Sequence, residues 1–392
     1  MIKEKIQQAI GILKEKNIDL WLTFVRESHT LPDPCLPLIL DAHCTWQSAF
    51  LISAAGKTVA IVGNLDHAAI GEKDAYDKVV SYKTSIRENL IREISELNPP
   101  KIAVNFSTND FMSDGLTYGM YLLLQEYLKN TPYKDRFVSS EEIISAVRGR
   151  KSSAEIQRMK KAVDVTVDIF NSVSKILKPG LTEKEIARFM LDDVKKRGIG
   201  LSWDSSHCPS VFTGPDTAGA HYGPTDRKTE PGHIMNMDFG VKINDYVSDL
   251  QRTWYFMRDN ETEAPAEVKK AFTTVRDAIT KVAEFLKPGV EGWKVDEIAR
   301  QHIISQGYDE FPHGLGHQVG REAHDGAGGL FPKWEKYGKL PYLKIEPGQV
   351  YTIEPRVTCD GYGVATVEEE VVVTEDGCEF LSPRQLELFL VR

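Results

Sequence analysis

Apolar and polar positions follow two rhythms along the chain, and the change between them divides it. Residues 3–16 place apolar side chains at helical spacing among charged ones, and Asp19-Leu-Trp-Leu-Thr-Phe-Val25 then reads as a strand. A loop follows from Arg26 to Thr45, broken by Pro32, Pro34 and Pro37. The runs Phe50-Leu-Ile-Ser53 and Thr58-Val-Ala-Ile-Val62, separated by Ala54-Ala-Gly-Lys57, predict a hairpin. Val79-Val80 and Lys101-Ile-Ala-Val-Asn105 predict further strands, and residues 85–97 and 116–129 predict helices. Strands alternating with helices predict an α/β domain over residues 1–147. It shows no catalytic motif, and its His29, His43 and His67 read as surface or loop residues.

Residues 148–392 form the second expected domain. A long helix begins after Ser153, the expected cap, at Ala154-Glu-Ile-Gln-Arg-Met159 and ends before Lys178-Pro-Gly180. From there the chain repeats itself. Leu177-Lys-Pro-Gly-Leu-Thr-Glu-Lys-Glu-Ile-Ala187 returns as Leu286-Lys-Pro-Gly-Val-Glu-Gly-Trp-Lys-Val-Asp-Glu-Ile-Ala299, and Glu230-Pro-Gly232 returns as Glu346-Pro-Gly348. Asp238 and Glu354 stand at the same distance beyond these glycines, and each is followed by a second acid, Asp249 or Glu368. Such self-similarity predicts two copies of a helix–helix–hairpin unit packed about a pseudo-two-fold axis. The fold class expected is therefore α/β (α+β) with an internal repeat.

The first hairpin would run from Ile234 to Ile243, turn at Asn244-Asp245, and return from Tyr246 to Phe256. Asp238 interrupts an apolar run, and an unpaired buried carboxylate costs several kcal/mol. Asp238 and Asp249 could face each other across the hairpin. Taken alone, they could equally be structural aspartates at strand ends.

The bulk numbers exclude several functions. The 392 residues are 41% hydrophobic and 27% charged, as in an ordinary globular protein. A net charge of −9 does not suit a nucleic-acid partner, and no apolar run reaches membrane-spanning length. The N-terminus opens an amphipathic helix without the apolar core of a signal peptide. Five scattered cysteines without CxxC spacing suit a reducing cytosol, which makes a cytoplasmic location the expectation.

If the two halves meet, four carboxylates converge, and two divalent cations balance their charge. Phe311-Pro-His-Gly-Leu-Gly-His-Gln-Val-Gly-Arg-Glu-Ala-His-Asp325 offers His313, His317 and His324 in a glycine-rich frame. His317 is the expected ligand, and His324 could reach over a substrate. His313 and His317 could instead hold one zinc at helical spacing, although Gly314 and Gly316 disfavour a helix there. An oxygen-rich set favours manganese, iron or cobalt over a thiolate-type zinc site, with zinc itself still open. Two such ions can activate a water against a carbonyl.

At these residues the chain resembles the pita-bread metallopeptidases, the superfamily of aminopeptidase P, prolidase, methionine aminopeptidase and creatinase. Asp-Phe-Gly, Ser-Asp-Leu-Gln-Arg-Thr, His-Gly-Leu-Gly-His, Thr-Ile-Glu-Pro and Val-Glu-Glu-Glu all stand in register over residues 150–392. The N-terminal half resembles the creatinase-type domain more weakly, which points to the aminopeptidase P/prolidase branch. The resemblance implies Asp238, Asp249, His317, Glu354 and Glu368 as ligands of two divalent ions, manganese first. It implies a bridging hydroxide as nucleophile, with Glu354 also shuttling its proton and His324 stabilising the gem-diolate. His313 would line the pocket, and His221 would contact substrate near the scissile nitrogen. Two positions depart from the family pattern: Arg356 where glycine is common, and Thr366 where an arginine is common.

The function implied is removal of the N-terminal residue from short peptides with proline second, by a cytoplasmic, homodimeric Xaa-Pro aminopeptidase or dipeptidase. Arg321 and Arg356 are candidates for the substrate's carboxylate. The alternatives are a metal-dependent relative acting on a small non-peptide substrate, and a non-catalytic peptide-binding pseudopeptidase.

Overall fold

The computed structural model describes residues 1–216 and 222–392, and the chain divides into two compact units, Met1–Gly149 and Arg150–Arg392. In the first, six strands form one sheet in the order Lys78–Tyr82, Thr58–Gly63, Ser48–Ser53, Leu20–Val25, Ile102–Val104, Phe137–Ser139. The four inner strands are buried along their whole length because helices cover both faces. Successive residues point to opposite faces. Leu20, Leu22 and Phe24 pack toward Leu90, Ile94, Met120 and Leu124. Trp21 and Val25 pack toward Ile6, Ile10, Leu13, Ile143 and Val147. The loop expected between Arg26 and Thr45 contains a helical turn, Leu36–Ile39, with Pro37 in its first turn, where a missing N–H costs nothing. His29 and His43 are exposed there.

The second unit bears out the repeat. Its first copy places helices Ser153–Ser174 and Glu183–Arg197 before the first hairpin. Its second places Ala266–Phe285 and Gly292–Ser305 before the other. The cap of the first helix is Ser152 rather than Ser153. Its side chain accepts from Glu155 N while the Glu155 carboxylate accepts from Ser152 N, and Thr182 and Glu185 repeat this box. The shared glycines have a backbone reason: Gly180 and Gly289 stand at φ +93° and +85°, Gly232 and Gly348 at +92° and +82°.

The first hairpin is Ile234–Phe239 and Val241–Ile243 paired with Tyr246–Val247 and Leu250–Phe256. Asn244 and Asp245 both take positive φ, 51° and 67°, as a two-residue turn of mirror-image type requires. The expected facing of Asp238 and Asp249 is corrected by the register, which sets Asp238 opposite Gln251. The ladder lapses one step nearer the turn, where Gly240 lies so close to Ser248 that a side chain there would strike its carbonyl. Asp249 falls in this gap, two residues from Gln251 and so on the same face.

In the second hairpin Val350–Ile353 pairs with Glu369–Val373, and Arg356–Cys359 pairs with Gly363–Thr366. Both segments keep one register across Pro355, which puts Glu354 opposite Glu368. The hairpins meet where Gln251 and Glu368 form an antiparallel bridge, Glu368 N donating to Gln251 O at 3.2 Å. Behind this junction Val268, Phe272, Val275 and Ile279 of one helix pack against Ile353, Val357 and Val371. Among the described residues, no helix is long and apolar enough to cross a membrane.

Candidate metal centre

The hairpin junction sets four acids close together, and a third strand brings the imidazole. Gly316–His317 pairs with Gly329–Leu330 and lies beside Val350–Ile353, held by Glu354 N to Leu315 O at 2.8 Å and His317 N to Thr352 Oγ1 at 3.1 Å. A side chain at Gly316 would collide with the Thr352 carbonyl, so this approach needs the glycine. The glycine-rich segment is therefore strand and loop, not the helix that a single His313–His317 zinc site would use.

His317 Nε2 stands 3.7 Å from Asp249 Oδ2 and 3.5 Å from Glu354 Oε1. Asp249, His317 and Glu368 each present a donor atom within 4.8 Å of the others. The His324 ring meets the His317 ring edge-on, 4.2 Å between centroids. His313 turns Nδ1 toward Gly314 O at 2.8 Å and packs near Phe311.

Electrostatics alone would not tolerate this arrangement of charged acids. Burial pushes Asp249 up to about 7. Asp238 is also held well above the usual carboxylate range, by burial and then by Asp249 and Glu354, and Glu354 by burial and Asp249 against a hydrogen bond from Thr352. Glu368 is raised by burial, then by all three of the others and Glu370. Glu370, absent from the expected set, is raised by burial although Asp249 N donates to it. A third glutamate in Val-Glu-Glu-Glu was visible in the sequence, but nothing separated it from its neighbours. Buried oxygens Asp238 Oδ1 and Glu368 Oε2 have no hydrogen-bond partner within the protein. Orphaned buried carboxylate oxygens, facing an imidazole and raised toward protonation by one another, fit divalent cations as the missing partners.

The residues around the cluster hold it by other means. Arg252 donates to Gln251 O, Glu368 O, Glu369 Oε2 and Pro383 O, tying the strands behind the acids. In the Gly292–Ser305 helix, the buried Asp296–Arg300 pair fastens the histidine loop: Arg300 donates to Phe311 O and His313 O, and Asp296 accepts from Leu315 N. The buried Lys151–Asp325 pair does the same beside His324, with Asp325 also accepting from Arg321 N.

The two arginines separate. Arg321 directs its guanidinium toward Asp245 at 3.5 Å and over the Tyr246 ring. Arg356 is half-buried, and among the described residues no carboxylate counters the desolvation that lowers its pKa. His221 lies outside the described residues. Cys208 is a buried thiol donating to Gly240 O, with its pKa pushed up to about 12 by burial.

Residues 157–375 match metallopeptidase family M24. An uncharacterized peptidase of Staphylococcus epidermidis is 29% identical over 303 residues, 76% of this chain and 80% of that protein. An uncharacterized peptidase of Bacillus subtilis is 28% identical over 279 residues, 70% and 73% of the two chains. Among solved structures, an Xaa-Pro dipeptidase from Bacillus anthracis superposes with a TM-score of 0.76 at 23% identity over 100% of both chains. An X-Pro aminopeptidase from Thermotoga maritima gives 0.72 at 23% identity, covering 98% of this chain and 99% of that one. At these identities the structural likeness speaks for the fold.

Proposed function

The chain belongs to metallopeptidase family M24, and from that premise we propose that it removes the N-terminal residue from short peptides with proline in second position. The observation that carries this reading is the convergence of Asp249, Glu354 and Glu368 on His317, with Asp238 beside Asp249 and Glu354 and with buried carboxylate oxygens that lack partners. Asp238, Asp249, His317, Glu354 and Glu368 would hold two divalent cations, manganese first, in an oxygen-rich set. Bound there, the cations would lower the pKa of a water and polarise the scissile carbonyl.

The chain's own groups do the rest. Glu354 keeps partial exposure and stands beside Thr352 Oγ1 and His317, where it can take a proton and return it to the leaving nitrogen. His324, edge-on to His317, offers an N–H to the carbonyl oxygen as charge builds on it. His313 lines the approach, and His221 is assigned the substrate side of the scissile nitrogen. Arg356, half-buried, is assigned to a substrate carboxylate, and Arg321, directed toward Asp245 and Tyr246, is the second candidate. The preference for proline is supported by the structural neighbours, an Xaa-Pro dipeptidase and an X-Pro aminopeptidase. A cytosolic location is supported by five free thiols. A homodimer belongs to the same proposal.

The test is metal content after reconstitution with Mn²⁺, followed by hydrolysis of a panel of Xaa-Pro and non-proline peptides. Bound metal with cleavage confined to Xaa-Pro peptides is the expected result. Metal-loaded protein that cleaves no peptide would overturn it in favour of a small non-peptide substrate.

A further inference from the structure

Gln251 occupies a position that no metal-ligand pattern singles out, yet it touches an acid of the centre in each hairpin. Its backbone stands opposite Asp238 in one hairpin and bridges to Glu368 in the other. Its carbonyl accepts from Glu368 N at 3.2 Å and from Arg252 Nη1 at 2.9 Å, so the residue is pinned from both sides. Its side chain is buried, 4% exposed, and runs between the hairpins. Gln251 Nε2 donates to Asp238 Oδ2 at 3.3 Å, and Gln251 Oε1 accepts from Thr366 Oγ1 at 2.9 Å.

The direction of this relay is set by chemistry. A carboxylate that holds a cation is ionised and only accepts, so the amide must turn its N–H toward Asp238. That leaves the amide oxygen facing Thr366, whose hydroxyl can donate to it. The hydroxyl also lies 3.3 Å from Pro355 O, the longer of its two acceptors. With Oδ2 held, Asp238 keeps Oδ1, the buried oxygen without a partner, for whatever the centre binds. The amide is neutral. A guanidinium or ammonium in its place would pair with Asp238 and compete with a divalent cation for the carboxylate's charge.

We propose that Gln251, oriented by Thr366, is a positioning residue that aims the Asp238 carboxylate and thereby sets the divalent-cation affinity of the centre. The inference rests on the reading of Asp238 as a ligand. Outer-sphere hydrogen bonds of this kind carry about 10–100-fold in metal affinity.

The experiment is direct titration of the metal-free full chain with Mn²⁺, reading dissociation constant and number of ions bound, with metal-free Tm as the check on folding. Gln251→Met keeps the length and removes the amide, and about 10–100-fold weaker Mn²⁺ binding is expected. Thr366→Val should weaken binding less, Thr366→Ser should restore it, and Thr366→Val should add little to Gln251→Met, as two links of one relay require. The control is Asp238→Asn. Unchanged Mn²⁺ affinity in Gln251→Met, beside a loss in Asp238→Asn, overturns the relay and leaves the centre standing. Fully additive effects of the two substitutions overturn it as well. Unchanged binding in Asp238→Asn overturns the ligand reading on which the inference rests. Should Gln251→Met fail to fold, the contrast of Thr366→Val with Thr366→Ser decides, since equal affinities in the two would rule the hydroxyl out.

Discussion

Asp249 and His324 flank the same imidazole, yet they are assigned different work. Asp249→Asn is expected to lose metal and peptidase activity together, as metal analysis beside a turnover assay would show. His324→Ala is expected to keep its metal and to lower kcat by about 10²–10⁴-fold, the range for losing acid–base or oxyanion help. The reverse pattern would exchange the two roles. Arg356 makes a sharper case, because its guanidinium takes no hydrogen bond or ion pair among the described residues. Arg356→Ala should cost about 1.5–3 kcal/mol in kcat/KM on an Xaa-Pro dipeptide and nothing on a tetrapeptide, whose carboxylate lies beyond reach. Equal losses on both lengths would remove Arg356 from substrate binding. The acids were legible in the sequence because a carboxylate inside an apolar strand run stands out against its cost of burial. Gln251 and Thr366 were not, since neutral polar residues are ordinary in strands. Arg321 looked equivalent to Arg356 in sequence, and only the positions of Asp245 and Tyr246 separate them.

Helices and turns carry their own signals along the chain, whereas the pairing between strands does not. The Pro-Gly breaks and the Asn244-Asp245 turn announced where elements end, because each needs a backbone conformation that few residues accept. Which acid faces which depended on the register. There the two-residue turn at Asn244-Asp245 keeps one register on both sides of Gly240, which sets Asp249 opposite Gly240 and Asp238 opposite Gln251. The helix Gly292–Ser305 shows the same limit, for nothing in its sequence announced that Asp296 and Arg300 would hold the histidine loop. Arg300→Ala leaves Asp296 buried without its counter-charge and the loop carbonyls without donors. It should destabilise the chain by about 3–5 kcal/mol in chemical denaturation. Asp296→Leu with Arg300→Met, which removes both charges, should recover part of that loss. No recovery would mean that the hydrogen bonds to the loop, rather than the ion pair, provide the stability.

For the whole molecule, the acids set a dependence on pH that metal should reverse. Asp249 moves from its ordinary 3.8 to about 7 on folding, so the fold holds its proton more tightly than the unfolded chain does. Its contribution is fully present below about 4 and is lost as pH rises through about 7. Metal-free protein should therefore lose stability across that window, and Asp249→Asn should flatten the loss. Mn²⁺ should raise Tm more at pH 8 than at pH 5, because protons and cations compete for the same oxygens. A Tm indifferent to Mn²⁺ at both values would count against the centre. The duplicated architecture adds one more consequence. Each hairpin supplies two of the four acids, so neither copy alone would carry the charge to retain the proposed pair of cations. Occupancy then becomes a gauge of whether the two copies are docked. A chelator would act on this protein as a solvent for its seam, and a protease should find strands in the stripped enzyme that it cannot reach in the loaded one.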